Sequence, residues 1–131
     1  MSTTTLIKAL FFIAALYDGA LGAVFLLAPG EVYRVADVTP PNHWAYVQFP
    51  AALLLIFGLM FAAIAMKPIE NRKLIPYGIM LKAAYCGVAF WYWNKEGIPG
   101  IWKPFAVTDL LMGFLFVWSY WKLGTRSAES H

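Results

Sequence analysis

Three ionisable side chains, Asp18, Lys82 and Asp109, lie within apolar runs long enough to cross a lipid bilayer. A charge at the bilayer centre costs about 2.5–3.5 kcal/mol on insertion scales, so each of these groups needs a partner or a task. Two carboxylates and one ammonium can meet that need together. Asp18 could accept a proton or bind a cation. Lys82 could bind an anionic group or tune the proton affinity of Asp18. Asp109 could control access from one side. Tyr17, Tyr85 and Cys86 fall in the same runs, and a neighbouring run supplies Gln48. The candidate ligand-binding residues are therefore Asp18, Lys82, Asp109, Tyr17, Gln48 and Tyr85.

Composition defines the medium that surrounds them. The 131 residues are 61% apolar and 13% charged, with a mean hydropathy of +0.63. Soluble domains hold about 45–50% apolar and about 25% charged residues, so the excess must face lipid. Four spans of roughly 20 residues use about 80–90 positions, which predicts a single membrane domain over 1–131. The net charge of +3 reflects lysines and arginines flanking the spans, and no basic cluster outside those flanks suggests nucleic acid as a partner.

Several chemistries are disfavoured by residue supply. Cys86 is the sole cysteine, so neither an internal disulfide nor a CxxC redox pair is available. His43 and His131 are the only imidazoles, which argues against a buried haem or a multi-histidine metal centre. No residue pattern assigns a catalytic role or names a cofactor, and the reading leans away from an enzyme.

The spans read as approximately 6–28, 43–66, 74–93 and 103–123, with a polar, frayed tail over 124–131. The first is too long for the apolar core of a signal peptide and is expected to be retained. Pro50 falls inside the second span and predicts a kink. Pro76 and Pro104 fall in first turns, where a missing N–H is harmless. Between the first two spans, GEVYRVADVTPPN can form either a short amphipathic surface helix or an irregular loop. Lys8, Lys67, Arg72, Lys73, Lys122 and Arg126 gather on one face, and Arg34, Lys95 and Lys103 on the other. That asymmetry predicts both termini in the cytoplasm of a multi-pass inner-membrane protein. Trp44, Trp91, Trp93 and Trp102 mark the outer interface; Tyr77, Trp118, Tyr120 and Trp121 mark the inner one. His43 is expected to cap or anchor the second helix, and Cys86 to be a small buried residue.

Helical spacing turns the three charges inward. Asp18 shares a face with Gly22, Lys82 with Gly78, and Asp109 with Gly113, each four residues away. Small residues mark close helix contact in membranes, and Ala15, Gly19 and Ala23 extend such a stripe beside Asp18. The fold expected is an all-α four-helix transmembrane bundle with up-down connectivity.

The stretch YDGALGAVFLLAP, the proline-containing second helix and the closing DLLMGFLFVWSYWKL resemble the DoxX-like and related uncharacterised small bacterial four-helix membrane proteins. That resemblance implies an accessory or partner role in membrane redox and sulfur metabolism, and it assigns no function to a numbered residue. Three classes stay open. The leading one is a ligand-binding protein or accessory subunit of a larger, redox-linked membrane complex. The others are a membrane enzyme or proton or small-solute transporter using the same charges, and a purely structural scaffold. The bilayer is the expected partner on this reading, with a membrane-protein partner or a homo-oligomer as further options.

Overall fold

A computed structural model describes residues 2–129, with side chains described for 2–125. The described chain is all-helical and contains no strand. Helix α1 covers Thr3–Leu27, the short α2 Pro29–Val35, α3 Ala45–Met66, α4 Ile75–Lys95 and α5 Trp102–Glu129, with a 3-10 turn at Arg72–Leu74 before α4. Four of these, α1, α3, α4 and α5, are long and apolar enough to span a bilayer. The first three keep within three residues of the expected bounds. Helix α5 instead continues through part of the tail expected to be frayed, as far as Glu129. The rest of that tail, residues 130–131, lies outside the described residues.

Local chemistry sets the ends. Ser2 caps α1, its hydroxyl accepting the Thr5 N–H at 3.1 Å. Helix α2 forms with Pro29 at its start, so the amphipathic-helix option for this segment holds over the loop. His43 Nδ1 accepts the Ala45 N–H at 3.1 Å and so tethers the start of α3. Pro50 is accommodated within an unbroken α3. Asn71 Nδ2 reaches back to the Ala63 carbonyl at the end of α3, 2.8 Å away. Helix α4 ends where Gly97 takes φ +83 and donates its N–H to the Tyr92 carbonyl at 2.8 Å. A side chain is strained at that φ by about 1–2 kcal/mol. Gly97→Ala is therefore expected to lower the melting temperature of the detergent-solubilised protein by a few degrees, whereas Gly100→Ala, in the same loop with ordinary φ, leaves it unchanged.

Helices α1 and α3 pack along each other, as do α4 and α5; the two pairs meet more sparsely along α1–α5 and α3–α4. The first pairing depends on glycine. A Cβ on Gly22 would lie 2.6 Å from the Ala51 carbonyl oxygen, and one on Gly58 would lie 3.1 Å from the Gly19 backbone. Backbone contact this close recovers dispersion energy that lipid cannot supply. Between the pairs, the half of the bundle holding the termini is solid. Phe11 stacks on Phe116 at 4.6 Å between centroids, and Phe61 tilts against Phe116 at 5.1 Å. Ile7, Ile64, Ile75 and Leu123 close the layer beneath them. Arg72 fastens this end: its Nε donates to the Tyr120 carbonyl at 2.9 Å and its guanidinium lies 3.8 Å above the Tyr120 ring.

Candidate ligand-binding site

The three charges meet directly above the phenylalanine layer. Asp18 arrives from α1, Lys82 from α4, which lies diagonally opposite, and Asp109 from α5. Lys82 Nζ donates to both carboxylate oxygens of Asp18 at 3.0 Å and to Asp109 Oδ1 at 3.1 Å. The ammonium is thus in contact with three carboxylate oxygens, two of them on one acid. The trio can form because Gly78 admits the Phe61 ring beneath the lysine stem and Gly113 lies against the Lys82 Cβ at 3.5 Å. The Tyr17 and Phe61 rings stand 5.4 and 5.8 Å from the ammonium, adding weak cation–π attraction.

The three members differ in access. The side chains of Lys82 and Asp18 are 1% and 2% exposed, that of Asp109 11%. Both oxygens of Asp18 are bonded to the lysine. Among the described residues, only one oxygen of Asp109 is. With every group ionised, the cluster carries one surplus negative charge.

Beyond the trio, in the half of the bundle away from the termini, the helix pairs separate around a cavity of about 380 Å³. Asp18 and Asp109 form its polar floor. Its walls are apolar: Leu21 and Phe25 from α1, Leu54 and Phe57 from α3, Leu81 from α4, Phe105 from α5. Tyr33 on α2 reaches over its far end, edge-on to the rings of Trp44 and Trp102 at 5.2 and 6.3 Å. Burial there raises the Tyr33 phenol above its ordinary pKa. The side towards α3 is open: Tyr46, Pro50 and Leu53 line the cavity and are also exposed on the surface of the bundle. Tyr46 lies in the first turn of α3, and Pro50 and Leu53 lie between one and three turns into this helix, long and apolar enough to span a bilayer, where the medium outside them is lipid. A shallower groove at the α1–α5 seam shares Tyr17, Leu21, Phe25 and Phe105 with the cavity, and these side chains form the partition between them.

The structure brings five of the six candidate residues to one place. Asp18, Asp109, Tyr17 and Tyr85 line the cavity, and Lys82 ties its floor. Tyr17 Oη is buried and makes no hydrogen bond; Thr108 lies beside it outside bonding geometry. Tyr85 Oη donates to the Trp102 carbonyl at 3.2 Å, in the first turn of α5. The sixth, Gln48, stands apart, donating from Nε2 to the Leu26 carbonyl at 3.0 Å and so satisfying the last turn of α1. Cys86 is buried, its thiol directed at the Ala106 carbonyl.

Sequence reasoning did not identify Phe25, Leu54, Phe57, Trp102 and Phe105 as part of the site. Trp102 reads as an interface anchor. In the structure it stacks on Phe25 at 5.5 Å and helps to wall the cavity. A signal was present: Trp102 and Phe105 lie seven and four residues before Asp109, and Leu21 and Phe25 three and seven after Asp18, so each acid shares a helix face with its own apolar wall. Comparison with protein-family models, with curated proteins and with solved structures yields no match.

Proposed function

We propose that this membrane protein binds a small, lipid-soluble molecule in the cavity between its helix pairs, with the Asp18–Lys82–Asp109 cluster as the polar end of the site. The observation that carries the reading is the cavity itself. A volume of about 380 Å³ falls within the range of ligand sites, which are typically apolar with a few convergent polar groups. A scaffold subunit has no use for such a space beside three buried charges. A transporter needs a route past the charges on the other side. There the Phe11–Phe61–Phe116 layer closes the bundle. The opening at Tyr46, Pro50 and Leu53 favours access from the bilayer over access from water.

This reading suits a binding or accessory role in a larger membrane complex, in keeping with the resemblance to DoxX-like proteins. The basic-residue asymmetry supports a cytoplasmic membrane with both termini inside, so the cavity occupies the outer leaflet.

The test uses a neutral probe of suitable size, adamantylmethanol, titrated into detergent-solubilised protein and followed by calorimetry and thermal shift. The wild type is expected to show saturable one-to-one binding. Leu54→Trp, which places an indole in the cavity, is expected to abolish binding while keeping or raising the melting temperature, because it fills empty apolar space. Absence of saturable binding to the wild type, or equal binding to both proteins, would refute the proposal.

A further inference from the structure

The floor of the cavity has a sign and an unused bonding capacity. Lys82 is turned onto Asp18 and Asp109, is 1% exposed and does not line the cavity, so it presents no ammonium to an anionic ligand. Neither arginine, histidine nor any other lysine lines the cavity among the described residues. What remains unsatisfied on the floor is the second oxygen of Asp109, on the most accessible carboxylate of the cluster, and the buried hydroxyl of Tyr17. An ionised carboxylate only accepts hydrogen bonds, and a phenol can accept one. With every group ionised the net charge of the cluster is negative, and the walls nearest to it carry the aromatic rings of Tyr17, Phe57, Tyr85 and Phe105.

Taken with the lipid-facing opening, this chemistry selects one ligand class. Resting on the ligand-binding reading above, we infer that the natural occupant is an amphiphile with a compact cationic head that donates hydrogen bonds, such as a protonated amine, attached to an apolar body. The head lies between Asp109 and Tyr17, where it cancels the surplus charge of the cluster and supplies the missing donors. The body fills the space between Leu21, Leu54 and Phe105. A bound cation would also be favoured by the surrounding ring faces.

Three probes sharing one body test the charge directly: adamantylmethylammonium, adamantylmethanol and adamantanecarboxylate, titrated into the wild-type protein in a non-ionic detergent near pH 7, where the amine is protonated. Binding to Leu54→Trp is subtracted as partition into the micelle. The expected order is ammonium tightest, alcohol at least about tenfold weaker, carboxylate weakest, because charge-assisted hydrogen bonds are roughly twice as strong as neutral ones. Asp109→Asn is expected to erase the advantage of the ammonium over the alcohol. Alcohol binding as tightly as ammonium, or carboxylate binding tightest, overturns the assignment of a cationic head while leaving the cavity a ligand site. Failure of all three to saturate overturns the assignment together with the ligand-binding reading. The wild-type comparison decides the question even if the Asp109 variant does not fold.

Discussion

Lys82→Met is expected to destabilise the protein more than any other single change in the charged cluster. Methionine matches the lysine stem in length and apolar character, so the substitution removes the ammonium and little else. It leaves Asp18, 2% exposed, facing Asp109 with no counter-charge and three hydrogen bonds lost. Removing one partner of a buried pair costs about 3–5 kcal/mol. Asp18→Asn should cost less, since the cluster becomes neutral and the amide oxygen still accepts one lysine proton. Asp109→Asn should cost least. It affects a single bond, which the amide oxygen can still accept, at the most accessible position, and it also cancels the surplus charge. Neutralising all three, as Asp18→Asn/Lys82→Met/Asp109→Asn, should recover most of the stability lost in Lys82→Met. Melting temperatures in one detergent measure the series, and added salt should barely alter the ranking because the pair is screened from solvent. Equal effects from all three single variants would mean that the contacts seen at Lys82 do not govern folding.

The features legible in the sequence are those that lipid imposes on it. Four apolar runs set the four spans, since a helix is the way to satisfy the backbone across a bilayer without partner strands. The meeting of Asp18, Lys82 and Asp109 followed from depth, from the reach of the lysine stem and from the cost of leaving any one alone. Gly22, Gly78 and Gly113 pointed to the correct faces because close backbone approach needs small residues wherever it occurs. Which helices pair tightly was not legible. In water, polarity separates inside from outside. In a bilayer, a leucine facing lipid and one facing a cavity are the same residue, so Leu54 and Phe57 gave no sign of lining a site. Gln48 illustrates the converse case. A polar side chain in a span reads as a companion for the charges, yet a helix end nearby has carbonyls to satisfy, and Gln48 serves Leu26. The extension of α5 to Glu129 was hidden for a related reason. Hydropathy marks where a helix leaves the membrane, and a helix can continue into water beyond that point.

The sparse contact between the helix pairs and the dense contact within them assign separate tasks to the two kinds of seam. Helices α1 and α3 are locked through glycine, which gives the cavity one rigid wall. The α3–α4 contact is sparse, and at the end of α3 the connection to α4 is tied back by Asn71 to Ala63 and across to α5 by Arg72. The charged cluster therefore does two things at once: it fastens α4 to α1 across the diagonal of the bundle, and it presents a carboxylate to the space above it. A site in which the fastening group is also the recognising group couples occupancy to packing, so a ligand that engages Asp109 should stiffen the bundle as it binds.

Gly22→Ala tests whether that rigid wall is needed. The added methyl carbon would come within 2.6 Å of the Ala51 carbonyl oxygen, 2.9 Å of the Leu55 nitrogen and 3.1 Å of Leu55 Cγ. Two of these are backbone atoms of a regular helix and cannot rotate away, so α1 and α3 must part along their whole contact. Overpacking of this kind costs about 1–3 kcal/mol where side chains alone have to move, and a backbone clash belongs at the upper end or above. The loss of dispersion contact is not offset by hydrophobic burial, because lipid is as apolar as the helix it would replace. Gly58→Ala, at 3.1 Å from Gly19 on the same seam, is expected to follow at smaller magnitude. Gly87→Ala meets nothing within 4 Å and should be neutral, with the intrinsic helix preference of alanine slightly in its favour. Melting temperature and yield of folded protein measure the order Gly22, Gly58, Gly87. Separation of α1 from α3 also moves Leu21 and Phe25 away from Leu54, so Gly22→Ala should weaken adamantylmethanol binding although Gly22 does not line the cavity. If Gly22→Ala melts like Gly87→Ala and binds like the wild type, α1 and α3 do not approach each other as closely as the fold requires, and the cavity they wall must have a different shape.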